Sequence, residues 1–463
     1  MAYQTINPFT EETLKTFPTT TDAEIESALK AGHSAFEKWK LTSFSERSRI
    51  LQKAADLLRA HKDEYAKLLT LEMGKLFAEA QGETELSAQI LEYYAVHAEE
   101  QLAPEVISTP TCRGIRTQLV HEPQGILLAI EPWNFPYYQI ARIIAPQLSA
   151  GNVIILKHAA NVPQCAAKFE ELMHKAGLPK GAFQNLYPSH DQINTIIADP
   201  RVRGIALTGS EKAGAIVASE AGKALKKCTM ELGGADAFIV LNDADLEKAV
   251  KWAVFGRHWN GGQVCVSSKR LIVEAGIYDK FLDLYRKGVQ KLRMGDPMDP
   301  KTTLAPLSSR GAVEGLKKQV AEAKGHGAKV EEIELEMPSK GCFFRPVILT
   351  DISASNPARH WEFFGPVTSL YKAKDEQHAI QIANDSPYGL GGSIFTKDEE
   401  KGARLARQID TGMVYINHPT MVKADIPFGG VKNSGFGREL LDLGLKEFVN
   451  TKVIGVADID SDF

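Results

Sequence analysis

The chain has 463 residues, 44% hydrophobic and 24% charged, with a formal net charge of −4; this is an ordinary globular composition and enough chain for two or three domains. The slight negative balance and the lack of a long basic run argue against a nucleic-acid partner. Aliphatic runs such as 126–130 are too short to span a bilayer, and the polar start lacks a signal-peptide pattern. Five cysteines (Cys112, Cys165, Cys228, Cys265 and Cys342), odd in number and without a Cys-x-x-Cys pair, fit a reducing, cytoplasmic setting and argue against a disulfide scaffold or a zinc site.

Residues from about 21 to 100 are expected to be helical. Thr21 and Glu24 have the spacing of a capping box. Ile25, Leu29, Phe36 and Trp39 then share one helix face, and Ile50, Leu51, Ala54, Leu57 and Leu58 mark a second amphipathic stretch. Neither stretch carries an obvious chemical constellation, so both read as scaffold. From 105 to 123 the pattern turns β-like. Apolar strands at 125–130, 152–156, 183–187 and 204–207 then alternate with helical segments near 137–149, 162–177, 191–198 and 212–225. Such alternation implies a parallel sheet covered on both faces, with ligands at the carboxyl ends of its strands. After a tight Gly233-Gly234 turn a second α/β pattern begins, with helices near 244–257, 277–291 and 310–326. Its strands are expected at 270–273, 347–349, 367–371, 393–395 and 413–416. A boundary near 234–236 places any catalytic parts at a domain interface.

Three residues carry chemistry. A lone cysteine is ordinarily a small buried hydrophobe, but Cys265 follows Gly261-Gly262-Gln263 and precedes Ser267-Ser268. Glycines there let backbone approach a ligand, and a nearby N–H can donate to an oxyanion, so the thiolate reads as a nucleophile. Glu231 ends a short strand before Gly233-Gly234, where a carboxylate can serve as general base toward water. Asn134, in Pro132-Trp133-Asn134-Phe135-Pro136, is either a turn residue ahead of a helix starting at Pro136 or an amide donor to an oxyanion. The stretch from Thr208 through Gly209 and Ser210 to Gly214 leaves a strand and opens a helix, whose free N–H groups can hold a pyrophosphate. Lys157, at the end of another strand, could hold ribose hydroxyls or a phosphate, or be plain surface charge. No metal site is evident.

Together these strings resemble the aldehyde dehydrogenase superfamily across essentially the whole chain. Matching motifs continue through Glu362-Phe363-Phe364-Gly365-Pro366 and from Pro427 to Gly435. The resemblance implies a Rossmann-type cofactor domain (1–104 and 124–233), an α/β catalytic domain (234–448) and a small β oligomerisation element (105–123 and 449–463) that would make a homodimer or homotetramer. It implies that Cys265 attacks an aldehyde, that Asn134 holds the oxyanion, and that Glu231 activates the water that hydrolyses the resulting thioester. It places Trp133 and Ser210 near the pyrophosphate, Lys157 and Glu362 at ribose hydroxyls, and Phe364 beside the nicotinamide ribose. Where NAD-preferring members often carry a glutamate that binds the adenosine 2′-hydroxyl, this chain has Ala160. The change removes a carboxylate that would repel a 2′-phosphate, so NADP is expected alongside or in preference to NAD.

The motifs look most like those of short bacterial succinate-semialdehyde dehydrogenases. Arg142 matches an arginine that binds the distal carboxylate in related enzymes. The usual second arginine is replaced by Trp259, with Arg257 two residues away, and a usual serine is replaced by Lys423. Lys423 or Arg257 could supply the missing cation, or Lys423 could simply be solvated. Alternatively Tyr137, Tyr138, Trp259 and Phe428 shape a site for an uncharged or aromatic aldehyde. Ser267 stands where some relatives carry a cysteine that bridges to the nucleophile, so that bridge is excluded. A non-catalytic relative and an acyl transfer to coenzyme A are the competing readings; Glu231 favours hydrolysis over the latter.

Overall fold

The computed structural model describes residues 3–107 and 115–460. Cys112, part of the expected β segment at 105–123 and the end of the acidic tail lie outside the described residues. The first long helix, Asp22–Trp39, starts on the expected capping box: Thr21 accepts the Glu24 N–H, and Glu24 reaches back to the Thr21 N–H at 2.7 Å. Helices Phe44–Ala60, Lys62–Met73 and Phe77–Gln101 follow.

Among the described residues, a six-stranded sheet runs in the order Gly435–Phe436, Lys227–Glu231, Val202–Thr208, Ile126–Glu131, Val153–His158, Phe183–Leu186. The pairs are parallel except for Gly435–Phe436, which runs antiparallel against Met230 and Glu231. The chain steps outward from Ile126–Glu131 through two strands, then returns to its other side at Val202–Thr208. That reversal is a topological switch point, and it opens a crevice beyond the carboxyl ends of those two strands. The motif 132–136 leaves one of them and Gly209-Ser210 leaves the other, which is why two distant stretches of sequence meet.

A second, seven-stranded sheet has the order Lys329–Glu332, Val347–Thr350, Val367–Ala373, Arg270–Glu274, Ala237–Val240, Gly392–Phe395, Tyr415–Ile416, parallel except for its first pair. Residues 232–236 link the carboxyl end of one sheet to the amino end of the other. Cys265 and Glu362 both lie just before strands of this second sheet, so its amino ends face the first sheet's crevice.

Several elements differ from expectation. The hairpin Tyr3–Ile6/Thr13–Phe17 and the strands Ala237–Val240 and Lys329–Glu332 were not foreseen. The strand expected at 413–416 shortens to Tyr415–Ile416. Phe428, Leu440, Leu445 and Phe448 pack into the core of the first sheet, although the resemblance places them in the catalytic domain at 234–448; pairing of Gly435–Phe436 beside Glu231 draws the segment back. Val449–Ala457 pairs antiparallel along Ile115–Pro123, which in turn pairs with Glu105–Ile107. Among the described residues no helix is long and apolar enough to cross a membrane, and no cluster of His, Cys, Asp and Glu could hold a metal.

Candidate active site

Helix Pro136–Ala150 begins at its proline, so Asn134 sits in the bend between strand and helix, 4% exposed. Its Nδ2 donates to the Gln263 carbonyl at 3.1 Å. An amide carries two such protons, and the second is free for a ligand. The Asn134 carbonyl accepts from Lys75 Nζ (2.9 Å) and from Asn260 Nδ2 (3.0 Å).

The nucleophile's turn is built from three consecutive left-handed residues, Asn260 (φ 53°), Gly261 (φ 64°) and Gly262 (φ 77°). Gly262 is required twice over: its φ is positive, and a Cβ there would lie 2.7 Å from the Gly365 backbone. Gln263 locks the turn, donating to the Asn260 carbonyl (3.0 Å) and accepting from the Ser308 N–H (2.8 Å). Gly234 presses on the other side, where a Cβ would meet the Cys265 carbonyl at 2.6 Å.

Cys265 is half-buried. Burial pushes its thiol up to about 12, against the pull of Lys269 and Arg142. Lys269, fully buried, donates to the carbonyls of Val264 and Cys265, both at 2.6 Å, and pairs with Glu362 at 3.1 Å. Glu362 also accepts the Gly234 N–H at 3.0 Å. One side chain therefore ties the nucleophile's backbone to the expected ribose ligand.

Glu231 ends strand Lys227–Glu231 and is 2% exposed, with both carboxyl oxygens lacking a hydrogen-bond partner. Burial and then Glu439 push its pKa well above the usual carboxylate range; Arg142 and Arg438 oppose them. Arg142 lies within electrostatic reach of both Glu231 and the Cys265 thiol. It forms a buried ion pair with Glu439 and donates to Thr208 Oγ1 (2.7 Å) and Tyr138 OH (3.1 Å), its guanidinium between the rings of Tyr138 and Phe428. Glu131 lies within electrostatic reach of the same arginine, and burial likewise raises its pKa well above its usual range. Three buried carboxyls thus surround one arginine. Glu131 and Glu439 were missed in the sequence; a carboxylate ending the apolar run 126–131 was the available signal for the first.

At the crevice, Ser210 caps helix Glu211–Lys223, its Oγ accepting the Ala213 N–H at 3.3 Å. Gly209 N–H donates to the Glu231 carbonyl (2.9 Å) and Gly214 N–H to that of Ser210 (2.9 Å). Beside this helix start, Lys212, Gly214, Ala215, Ala218 and Leu232 line part of a groove of about 440 Å³. Lys157 is the penultimate residue of strand Val153–His158, half-buried, with its pKa lowered by burial. Ala160, two residues past that strand, is half-buried. Trp133 and Phe364 meet edge-to-face at 5.7 Å. A capped helix start at the switch point, with a groove beside it, suits a dinucleotide.

The expected pocket residues separate. Tyr138 is buried beside Arg142. Trp259 is half-buried, stacked on Phe255 (6.0 Å between centroids, 15° between planes) and tilted against Phe135 at 5.1 Å. Lys423 is exposed on the loop between Tyr415–Ile416 and Phe428. Two expectations are corrected. Arg257 supplies no cation to a substrate: it is wholly buried and donates to the carbonyls of Val367 (2.8 Å), Phe363 (2.8 Å), Gly262 (3.3 Å) and Gly365 and to Ser267 Oγ. Tyr137 shapes no pocket, because its ring packs into the helical core on Tyr65 and Phe169.

The sequence profile of the aldehyde dehydrogenase family matches residues 1–454. The chain belongs to this family. Among similar proteins, the succinate-semialdehyde dehydrogenase [NADP(+)] of Deinococcus radiodurans is 46% identical over 98% of this chain and 94% of its own length. Succinate-semialdehyde dehydrogenase [NADP(+)] 1 of Mycobacterium bovis is 42% identical over 99% of this chain and its own full length. The crystal structure of succinic semialdehyde dehydrogenase from Streptococcus pyogenes in complex with NADP+ superposes with a TM-score of 0.96, at 46% identity, over 99% of this chain and 100% of that one. This chain is an NAD(P)-dependent aldehyde dehydrogenase with the mixed α/β fold its sequence pattern implies. In such a dehydrogenase the dinucleotide, when bound, supplies the hydride acceptor; everything else rests on the side chains above.

Proposed function

We propose that this chain oxidises succinate semialdehyde to succinate with NADP preferred over NAD. The Cys265 thiol gives up its proton to water, its Sγ attacks the aldehyde carbon, a C–S bond forms, and the carbonyl electron pair moves to oxygen. The second amide proton of Asn134 and the Cys265 N–H receive that oxyanion. Hydride leaves and a thioester remains on Cys265. Glu231 takes a proton from water as it adds to the thioester; collapse expels the thiolate and frees the acid. The names borne by the relatives support both substrate and cofactor.

The observation that carries the substrate reading is Arg142, a buried cation within electrostatic reach of the thiol. It stays charged, since Glu439 and the other carboxyls around it favour the guanidinium. In this reading Arg142, with Tyr138 OH beside it, receives the distal carboxylate of a short aldehyde held at Cys265. Lys423, at the exposed loop, supports entry rather than anchoring. One observation favours a second reading: Phe255, Trp259 and Phe135 form a continuous aromatic wall, suited to a larger uncharged aldehyde.

A panel of aldehydes with and without a distal carboxylate, run with each cofactor, separates these. With Arg142→Lys, which keeps a charge beside Glu439, KM for succinate semialdehyde should rise about 10-fold or more, the cost of losing a forked cation–carboxylate contact. KM for an uncharged aldehyde of equal length should not move; equal changes for both would overturn the carboxylate reading, and a strong NAD preference would overturn the cofactor reading. The exposed strand Val449–Ala457 supports assembly as a homodimer or homotetramer.

A further inference from the structure

Helix Phe77–Gln101 and the turn before it place Lys75, Glu79 and Glu83 at every fourth residue, on one face. The Lys75 and Glu83 side chains, 0% and 1% exposed, form an ion pair. Beyond Glu83, Lys75 Nζ donates to the Asn134 carbonyl at 2.9 Å and lies 3.6 Å over the Phe135 ring. Glu83 Oε1 accepts the N–H groups of Tyr137 (2.8 Å) and Tyr138 (3.2 Å). These are free donors of the first turn of helix Pro136–Ala150, whose cap residue, Phe135, has no side-chain acceptor. Glu83 therefore does from a different helix what a capping residue would do locally. Glu79 accepts the N–H of Asn260 at 3.2 Å, in the nucleophile's turn.

The row thus grips both walls of the pocket that receives the oxyanion. The Asn134 carbonyl has two lone pairs, and Lys75 and Asn260 use both. With that peptide fixed from one side and Nδ2 bound to Gln263 on the other, the free amide proton has one direction. A buried ion pair is weak evidence for stability, because desolvation offsets much of its attraction. Its placement on the peptide that carries the amide gives it a geometric use.

We propose that Lys75, held by Glu83, is a positioning residue that aims the Asn134 amide at the developing oxyanion. It touches neither substrate nor cofactor, and the proposal rests on the role given to Asn134 above. The test measures single-turnover formation of reduced cofactor in Lys75→Met, Asn134→Ala and the double variant. Lys75→Met should slow hydride transfer on the order of 10- to 100-fold, as a misplaced donor does. KM for NADP should stay unchanged, and a deuterated aldehyde should show a larger isotope effect on kcat. In the Asn134→Ala background the same substitution should cost nothing further. Additive losses, or a wild-type rate for Lys75→Met beside a slow Asn134→Ala, would overturn this inference alone. A wild-type rate for Asn134→Ala would remove the oxyanion role and this inference with it. Glu83→Gln, which keeps an oxygen for the two N–H groups but loses the charge, is the second variant should Lys75→Met not fold. It should slow the wild-type background by a smaller factor and leave the Asn134→Ala background unchanged; slowing of both, or of neither, counts against the proposal.

Discussion

The two sides of this catalytic centre are built on opposite principles. Around Cys265 the backbone is held tightly: Asn134, Gln263, Arg257 and Lys269 each donate to carbonyls of the nucleophile's turn or of the strands beside it. Around Glu231 the reverse holds. Both of its oxygens, and one oxygen of Glu131, are buried without a hydrogen-bond partner. The difference suits two kinds of work. An oxyanion site needs dipoles aimed before charge develops. A base needs proton affinity, which burial confers by making the ionised form costly.

That contrast can be broken from either side. The largest effect is expected for Asn134→Ala, which removes a preorganised donor and should lower kcat by about 10²–10³-fold, with the loss in hydride transfer itself. A loss confined to thioester hydrolysis would contradict the assignment. The pH dependence is next. Glu231 is a base only when ionised, and its pKa is raised, so thioester hydrolysis should climb with pH above the ordinary carboxylate range. That limb should vanish in Glu231→Gln; its persistence there would assign it to another group. The smallest effect concerns stability. Arg257→Met leaves several buried carbonyls without donors, so the thermal midpoint should fall, by roughly 3 kcal/mol of stability. KM for the aldehyde should stay unchanged, and a raised KM would return Arg257 to the substrate pocket.

Chemistry framed by local punctuation was legible in the sequence. Cys265 behind two glycines, Asn134 before Pro136, and the helix start at Ser210 each stand where a turn is written into the chain. Strand–helix alternation likewise revealed the first sheet. What escaped are pairings between distant segments. Nothing local indicates that Arg142 meets Glu439, or that Arg257 spends its donors on carbonyls around residue 365. Lys75, Glu79 and Glu83 carry no local signal beyond the helical expectation over 21–100, because a helix of mixed charge ordinarily turns such residues to solvent. Ala237–Val240 was missed because it follows the Gly-Gly turn almost immediately, too short to show a period.

The division of labour is tested most directly by stopped-flow measurement of reduced cofactor in Glu231→Gln with excess succinate semialdehyde. The account predicts a burst close to one equivalent per active site at the wild-type rate, followed by turnover slowed about 10²–10⁴-fold. A burst slowed as much as turnover would contradict it, since Glu231 would then act before the thioester forms.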